Sequence, residues 1–299
     1  MNKQEKAARP DRSARERILA AMPLTESRPH LAGVPTAVLE GGEGPPVVLL
    51  HGHGEFAAVW TNVIPGLVAD HRVIVPDLPG HGASGIGEGR LDAATVLAWL
   101  NALIDRTCES KPVLAGHLLG GSIAARYAAD HGDRLAHLVL VDTMGLGWFR
   151  PAPSFAIPMV RFIAHPTSHS RDRLFNRCFL DIDRVGERTG DHWGPLQEYA
   201  VECARSSTTQ TALRRMMPRL GVPPIPKDDL RRITVPTILV HGRHDLQVSL
   251  KTAEAAGAEY GWPLHVIEDC RDDPAAEQPE ALLEAMRGAL GRSDRKEAA

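Results

Sequence analysis

Six short apolar runs, separated by segments of helical periodicity, constrain this chain more than anything else in it. They lie at residues 47–50, 72–76, 113–115, 138–141, 237–240 and 264–267. Strands buried on both faces read as nearly continuous apolar runs, because neither side meets water. Helical patterns fall between and after them, at residues 91–107, 121–131, 250–260 and 279–290. Parallel strands need a long crossover, and a crossover helix packs back onto the sheet. The repetition therefore predicts a mostly parallel sheet with helices on both faces.

The alternation breaks once, from Met144 to about Asp229. That span carries Pro151, Pro153, Pro158, Pro166 and several short helical patterns, with no strand run. It reads as a helical insertion over one end of the sheet. The expected organisation is a core of residues 27–143 and 230–291, a helical cap at 144–229, an N-terminal extension at 1–26 and a tail at 292–299. Residues 1–12 and the tail read as disordered, and residues 13–22 as a short helix. Residues 28–32 and 34–39 read as a hairpin about Gly33. Residues 41–46 form a Gly/Pro-rich loop.

The charge balance excludes some partners. With 34 Lys and Arg against 37 Asp and Glu, the net charge is -3. No global field draws nucleic acid or an anionic membrane to the chain. Locally, residues 144–232 hold 14 Lys and Arg against 9 Asp and Glu. These arginines either face a pocket, where they favour an anionic ligand, or are solvated. Cys108, Cys178, Cys203 and Cys270 have neither CxxC nor zinc spacing and read as reduced thiols. The charged start, MNKQEKAARPDRSARER, lacks the apolar core of a secretory signal, and no apolar run nears the roughly 20 residues of a membrane helix. A cytoplasmic, soluble protein is expected.

Residues 112–128 read PVLAGHLLGGSIAARYA, an apolar strand turning sharply into a helix between glycines. This resembles the nucleophile elbow of α/β-hydrolases. VVLLHGHGEFAAVW resembles that family's strand and HGxG loop, and VIVPDLPGHGASG its next strand and loop. LVLVDTMGLG resembles the strand before a cap, PTILVHGRHD the strand that delivers the acid, and DDPAAEQPEALLEAM the loop and helix that carry the histidine. The chain is thus similar to the α/β-hydrolase fold superfamily from about residue 28 to 291. The resemblance implies an α/β fold with a mostly parallel central sheet, flanking helices and an inserted helical cap. The active site is expected at the carboxyl ends of the strands.

Carried onto this sequence, the resemblance puts the nucleophile at Leu118, the acid at Asp245 and the base at Asp272. A leucine neither attacks nor hydrogen-bonds, and no neighbour of Asp272 is histidine. An acyl-enzyme route needs an oxygen or sulfur nucleophile beside a base. Ordinary esterase chemistry is therefore not expected, and the triad reads as degenerate. The resemblance still implies an oxyanion hole from the backbone amides of Leu119 and His53.

Other groups remain for catalysis. Asp245 and Asp272 fall where an Asp-His hydrogen bond normally forms: standing close they would raise one carboxyl pKa and make a shared-proton pair, and the alternative is that the loop or Arg271 separates them. His53, in the HGxG loop, is a candidate base. Glu55, Asp142 and Trp148 are pocket candidates. Asp142 is a reserve acid at the end of its strand, and Phe149, Phe155 and Trp193 join Trp148 as apolar lining. His51, His81 and His117 read as loop-pinning residues, and Ser122 as a packing residue. No metal motif, Walker loop or GxGxxG appears, so no metal and no cofactor is expected. Three readings stay open for a small apolar or acidic ligand: an enzyme of non-classical hydrolase, lyase, isomerase or cyclase type; a catalytically inactive binding or regulatory protein; and a hydrolase with a relocated nucleophile.

Overall fold

The computed structural model describes residues 12–291. The expectations for residues 1–11 and 292–299 lie outside the described residues. The strands are β1 (Thr25–Ser27), β2 (His30–Leu31), β3 (Val34–Pro35), β4 (Val38–Gly41), β5 (Pro46–Leu50), β6 (Arg72–Pro76), β7 (Val113–His117), β8 (His137–Val141), β9 (Thr237–Gly242) and β10 (Leu264–Ile267). Eight of them form one sheet in the order β1-β4-β6-β5-β7-β8-β9-β10, and β2 and β3 pair separately. β1, β4 and β6 pair antiparallel; every later pairing is parallel.

The apolar runs are continuous because the sheet is packed on both sides. Val48, Leu50, Leu114, Leu138 and Leu140 join one apolar cluster, with Trp99, Leu103, Ile123 and Tyr127 from the helices Ala93–Thr107 and Leu119–His131. Their neighbours Val47, Leu49, Val113, Val139 and Val141 join the other, with Trp60, Ile64, Leu67 and Leu282. Alternate side chains leave opposite faces of a strand, so each run feeds two cores. Each fully buried side chain of this kind contributes about 1.5–3 kcal/mol.

Between β8 and β9 the chain is helical. It runs through Pro153–Ala164, Ser168–Cys178, Ile182–Thr189, Trp193–Arg205, Ser207–Met216 and Lys227–Arg231. The helix ending at Met216 continues as a wider π turn, Met217–Gly221, where Pro218 supplies no backbone N–H.

Two local readings shift. The expected hairpin strand at residues 34–39 is split in two. Thr36 donates its N–H to Pro29 and its hydroxyl to Val34, so the chain leaves β3 before joining the main sheet as β4. The turn has positive φ at both Ala32 and Gly33, as a type I′ hairpin turn requires. The helix after the sharp turn begins at Leu119, two residues earlier than its pattern suggests.

The sheet order places a crevice. β5 lies between β6 and β7, so the crossovers leaving its two sides go to opposite faces. In open α/β sheets the ligand crevice forms outside the strand ends at such a switch point. Residues 51–56 follow β5, and the sharp turn at Leu118 follows β7.

Candidate functional site

The turn from β7 into its helix keeps the backbone of an elbow around a hydrocarbon side chain. Leu118 has φ 46° and ψ -109°, a conformation L-residues rarely adopt, which stores about 1–3 kcal/mol. Three hydrogen bonds hold it. Its N–H donates to Val141 at 3.1 Å, and its carbonyl accepts from Ser122 at 3.1 Å and Met144 at 3.2 Å. Glycine is required at the flanks. A Cβ on Gly116 would stand 2.4 Å from the Gly120 carbonyl oxygen, and one on Gly120 would stand 2.5 Å from that of Leu50.

The Leu118 side chain is fully buried in the apolar cluster that also holds Ala212, Met216 and Leu220 of the helical insertion. Leu119 is fully buried as well. Neither residue lines the cavity described next. This departs from the expected oxyanion hole: of its two members only His53 reaches the cavity.

The cavity encloses about 170 Å³ between the helical insertion and the loops at the strand ends. Phe155, Met159, Phe162, Leu174, Phe175 and Trp193 form apolar walls, and His53, Glu55, Gln247, Asp272 and Asp273 form a polar floor. Among the described residues, no Lys or Arg lines it. Of the two readings of the insertion's arginines, this lining favours the one in which they do not face the pocket. The arginines of the insertion turn elsewhere: Arg205 donates to the Pro166 carbonyl, and Arg188 pairs with Glu280. Trp148 is 61% exposed and lies outside the lining, which corrects its place among the pocket candidates.

The floor is organised by an ion pair between the buried His117 and the partly exposed Glu55. His117 Nδ1 lies 3.3 Å from Glu55 Oε2, and His117 Nε2 donates to the Asp272 carbonyl at 2.6 Å. Burial by itself lowers an imidazole pKa, but the Glu55 charge and hydrogen bond outweigh it and raise His117 well above its usual range. Burial by itself raises Glu55; His117, His51 and the Gly52 N–H at 2.6 Å bring it down to about 2. His53 has no such partner. Burial pushes it down to about 4, so its ring is neutral, and its buried Nδ1 has no hydrogen-bond partner.

Asp245 and Asp272 do not share a proton directly. Gln247 stands between them. Its backbone N–H donates to Asp245 Oδ1 at 2.6 Å, while its side-chain amide donates to Asp272 Oδ2. Asp245 Oδ2 also accepts from the Val248 N–H at 3.1 Å, and Asp245 does not line the cavity. Burial raises both carboxyls, Asp245 to about 7 and Asp272 well above its usual range, with Asp245 adding to the rise at Asp272. Asp272 Oδ1 is buried without a partner. Arg271 turns away and donates to the carbonyls of Asn176 and Phe179 in the insertion.

Asp142 is not a pocket residue. It is fully buried behind the floor, with φ 43°. Its Oδ1 accepts from the Gly242 N–H at 2.9 Å and lies 3.2 Å from His241 Nδ1. Donor atoms of Asp142, His241 and Asp245 all lie within 4.8 Å of one another. No motif announces this cluster, because its members come from the ends of β8 and β9 and the following loop. Peptide groups of Gly242, Gln247 and Val248 already bond all three.

Two groups escaped the sequence reading. Asp273 lines the cavity, caps the helix Pro274–Glu277 through the Ala276 N–H at 3.0 Å, and is pushed up to about 7 by burial. The Asp272-Asp273 doublet was its only sequence signal. Among the described residues, Cys178 is the one cysteine in the lining, and no serine lines it. Burial, with Asp272 and Asp273 beside it, raises the Cys178 thiol well above its usual range, so it is no thiolate nucleophile.

An eight-stranded, mostly parallel sheet with this sharp strand-to-helix turn and a crevice at the strand ends defines an α/β-hydrolase fold. Residues 47–285 match the family model "Alpha/beta hydrolase family", and the chain belongs to that family. It is similar to the pimeloyl-[acyl-carrier protein] methyl ester esterase of Aeromonas hydrophila subsp. hydrophila, at 27% identity over 84% of this chain and 97% of that one. It is also similar to the 2-hydroxy-6-oxo-6-phenylhexa-2,4-dienoate hydrolase of Comamonas testosteroni, at 27% identity over 77% of this chain and 82% of that one. Among solved structures, the carboxylesterase CesB from Bacillus subtilis shares the fold with a TM-score of 0.77 at 19% identity, over 93% of this chain and 96% of that chain. No helix among the described residues is long and apolar enough to cross a membrane.

Proposed function

We propose that this chain binds a small, largely apolar and uncharged molecule beneath the helical insertion, acting as its cap. It transforms that molecule by proton transfer from the carboxyls of the cavity floor, without an acyl-enzyme. The observation that carries this reading is the composition of the floor. It has acids and a neutral imidazole but no serine, and its one thiol is held protonated. Leu118, at the elbow, is sealed in the core. In this reading the triad is degenerate, with Leu118 and Asp272 at the nucleophile and base positions.

The roles follow from the environments. Asp272, whose carboxyl burial raises well above its usual range, keeps a free Oδ1 and serves as general acid. Asp273, with its pKa near 7, exchanges protons at physiological pH and serves as the partner base. His53 orients the ligand by hydrogen bonding, and Asp245 holds Asp272 in place through Gln247. Glu55, tied to His117, is too weak a base for the chemistry and sets the charge of the floor. Such a pair of groups suits elimination, isomerisation or direct attack by water.

The named relatives act on a pimeloyl methyl ester and on a dienoate, both carbon chains with polar ends. The apolar walls suit a similar body. The absence of a lining cation argues for a neutral end here. A second reading, a binding protein without turnover, is favoured by the burial of Leu119, whose amide lies outside the cavity.

The experiment is a thermal-shift screen of neutral apolar metabolites, followed by mass spectrometry of each hit after incubation. Product formation that falls roughly 10²–10⁴-fold in Asp272→Asn, with ligand affinity retained, supports acid–base catalysis. Tight ligands recovered unchanged support the binder.

A further inference from the structure

The helix Pro153–Ala164 has two apolar faces. One lines the cavity, through Phe155, Met159 and Phe162. The other points away from the protein. Ile157 is 55% exposed, Val160 60% and Ile163 43%. Successive residues of a helix turn by about 100°, so Ile157, Val160, Arg161 and Ala164 lie on one outward stripe. Ile163 stands at its edge and also lines the cavity. Trp148, the most exposed of the large apolar residues, precedes this helix. Large apolar side chains exposed together along one helix stripe mark an interaction surface rather than scattered solvent exposure.

The surrounding charge says what covers it. Residues 148–178 hold five arginines against one aspartate, in a chain of net charge -3. Arg171 pairs with that aspartate, Asp172. Arg150, Arg161, Arg173 and Arg177 are exposed, and their guanidinium groups form no ion pair among the described residues. A second copy of the same face would bring these arginines together and repel. An apolar stripe with an exposed tryptophan and unpaired arginines beside it matches the interface of an anionic bilayer. There the apolar side chains enter the acyl boundary and the cations meet lipid phosphates.

We propose that this face of the cap docks the protein onto the surface of an anionic lipid bilayer. The helix that walls the cavity on its inner side then rests its outer side on a phase in which apolar molecules are concentrated. This attachment is peripheral, so it needs no spanning helix. It revises the expectation, drawn from the net charge, that the chain ignores membranes: the balance of one face decides docking, not the sum over the molecule.

The test is co-sedimentation of the full chain with vesicles of phosphatidylcholine alone and of phosphatidylcholine with phosphatidylglycerol. Binding to the anionic vesicles is expected, with little to the zwitterionic ones, and it weakens as salt rises. Ile157→Asp with Val160→Asp should weaken it at least about tenfold. Arg150→Ala with Arg161→Ala should weaken it roughly thirtyfold, at about 1 kcal/mol for each cation near the surface. All four positions are exposed, so these variants keep the fold, which circular dichroism checks. Absence of binding to anionic vesicles at low salt overturns the proposal, and so does binding that neither pair of substitutions weakens. A solution dimer that Ile157→Asp disperses assigns the face to a second copy and overturns it as well.

Discussion

Oε2 of Glu55 and Nδ1 of His117 lie 3.3 Å apart at the cavity floor, the imidazole buried and the Glu55 side chain 23% exposed. Breaking one side of such a pair leaves the buried imidazolium without its partner, at a cost that solvent at Glu55 keeps below that of a fully buried pair. Glu55→Gln is therefore expected to destabilise the fold by about 1–2 kcal/mol near pH 6. The pH window follows from both shifts. Glu55, held down at about 2 from 4.5, contributes stability above about pH 4.5 that is lost as pH falls toward 2. His117, raised from 6.5, contributes stability below about pH 6.5 that is lost as pH rises through its folded value. The difference between wild type and variant should thus peak between about pH 4.5 and 6.5. Chemical denaturation across pH, with the imidazole resonances of His117 followed by NMR, checks it. A neutral His117 in the wild type at pH 7 would sink the claim.

Asp273 gives a slope of the opposite origin. Its folded pKa near 7 exceeds the ordinary 3.8, so the folded state holds an extra proton between those values. Its contribution to stability declines as pH climbs from about 4 to 7. Asp273→Asn keeps an N-cap residue and removes the titration. The variant's melting temperature relative to wild type should rise steadily over that window. A difference independent of pH means that Asp273 is not held protonated.

Leu118 is expected to act as a core residue. Leu118→Ala should cost about 2–5 kcal/mol, as buried leucines do. A loss below about 1 kcal/mol, measured by denaturant unfolding, would contradict its burial. In the double variant Leu118→Ser, Asp272→His, the elbow backbone persists and a hydroxyl and an imidazole return. Because position 118 is buried outside the cavity lining, no p-nitrophenyl acetate hydrolysis is expected from the folded variant. Hydrolysis above background would contradict that burial and show the elbow open to substrate.

Cys178 tests the relocated nucleophile. Its raised thiol pKa should make alkylation by iodoacetamide at pH 8 at least about tenfold slower than in the unfolded chain, because only the thiolate reacts. A fluorophosphonate probe should label no serine. Rapid Cys178 alkylation, or serine labelling lost on a single substitution, would revive a covalent route.

The fold was legible because its signal is local. A strand covered on both faces must be apolar at successive positions, and residues 47–50 and 138–141 say so without any tertiary knowledge. The split of the expected strand at residues 34–39 was not legible. It depends on Thr36 finding Pro29. Within the site, Asp272 and Asp245 were open to two readings, a shared-proton pair or acids held apart by the loop or Arg271, and neither named Gln247, which bonds both. Nothing in a glutamine two residues past an aspartate announces that its amide will reach a carboxyl twenty-five positions on. His117 was read as a loop-pinning residue, which its bond to the Asp272 carbonyl fits; its charge depends on Glu55, sixty-two residues away.

The amino-acid order alone determined the alternation of strands and helices, the sharp turn between glycines at Leu118, and the lack of a serine there. These depend on residue type and on spacing within a few positions. Only the tertiary structure decided that Leu118 and Leu119 are shut away from the cavity, that no arginine enters it, and that Asp273 belongs to its floor. Those outcomes rest on distances between segments far apart in the chain. The pKa of a carboxyl follows from the water and charges that packing leaves around it, and no local pattern records that.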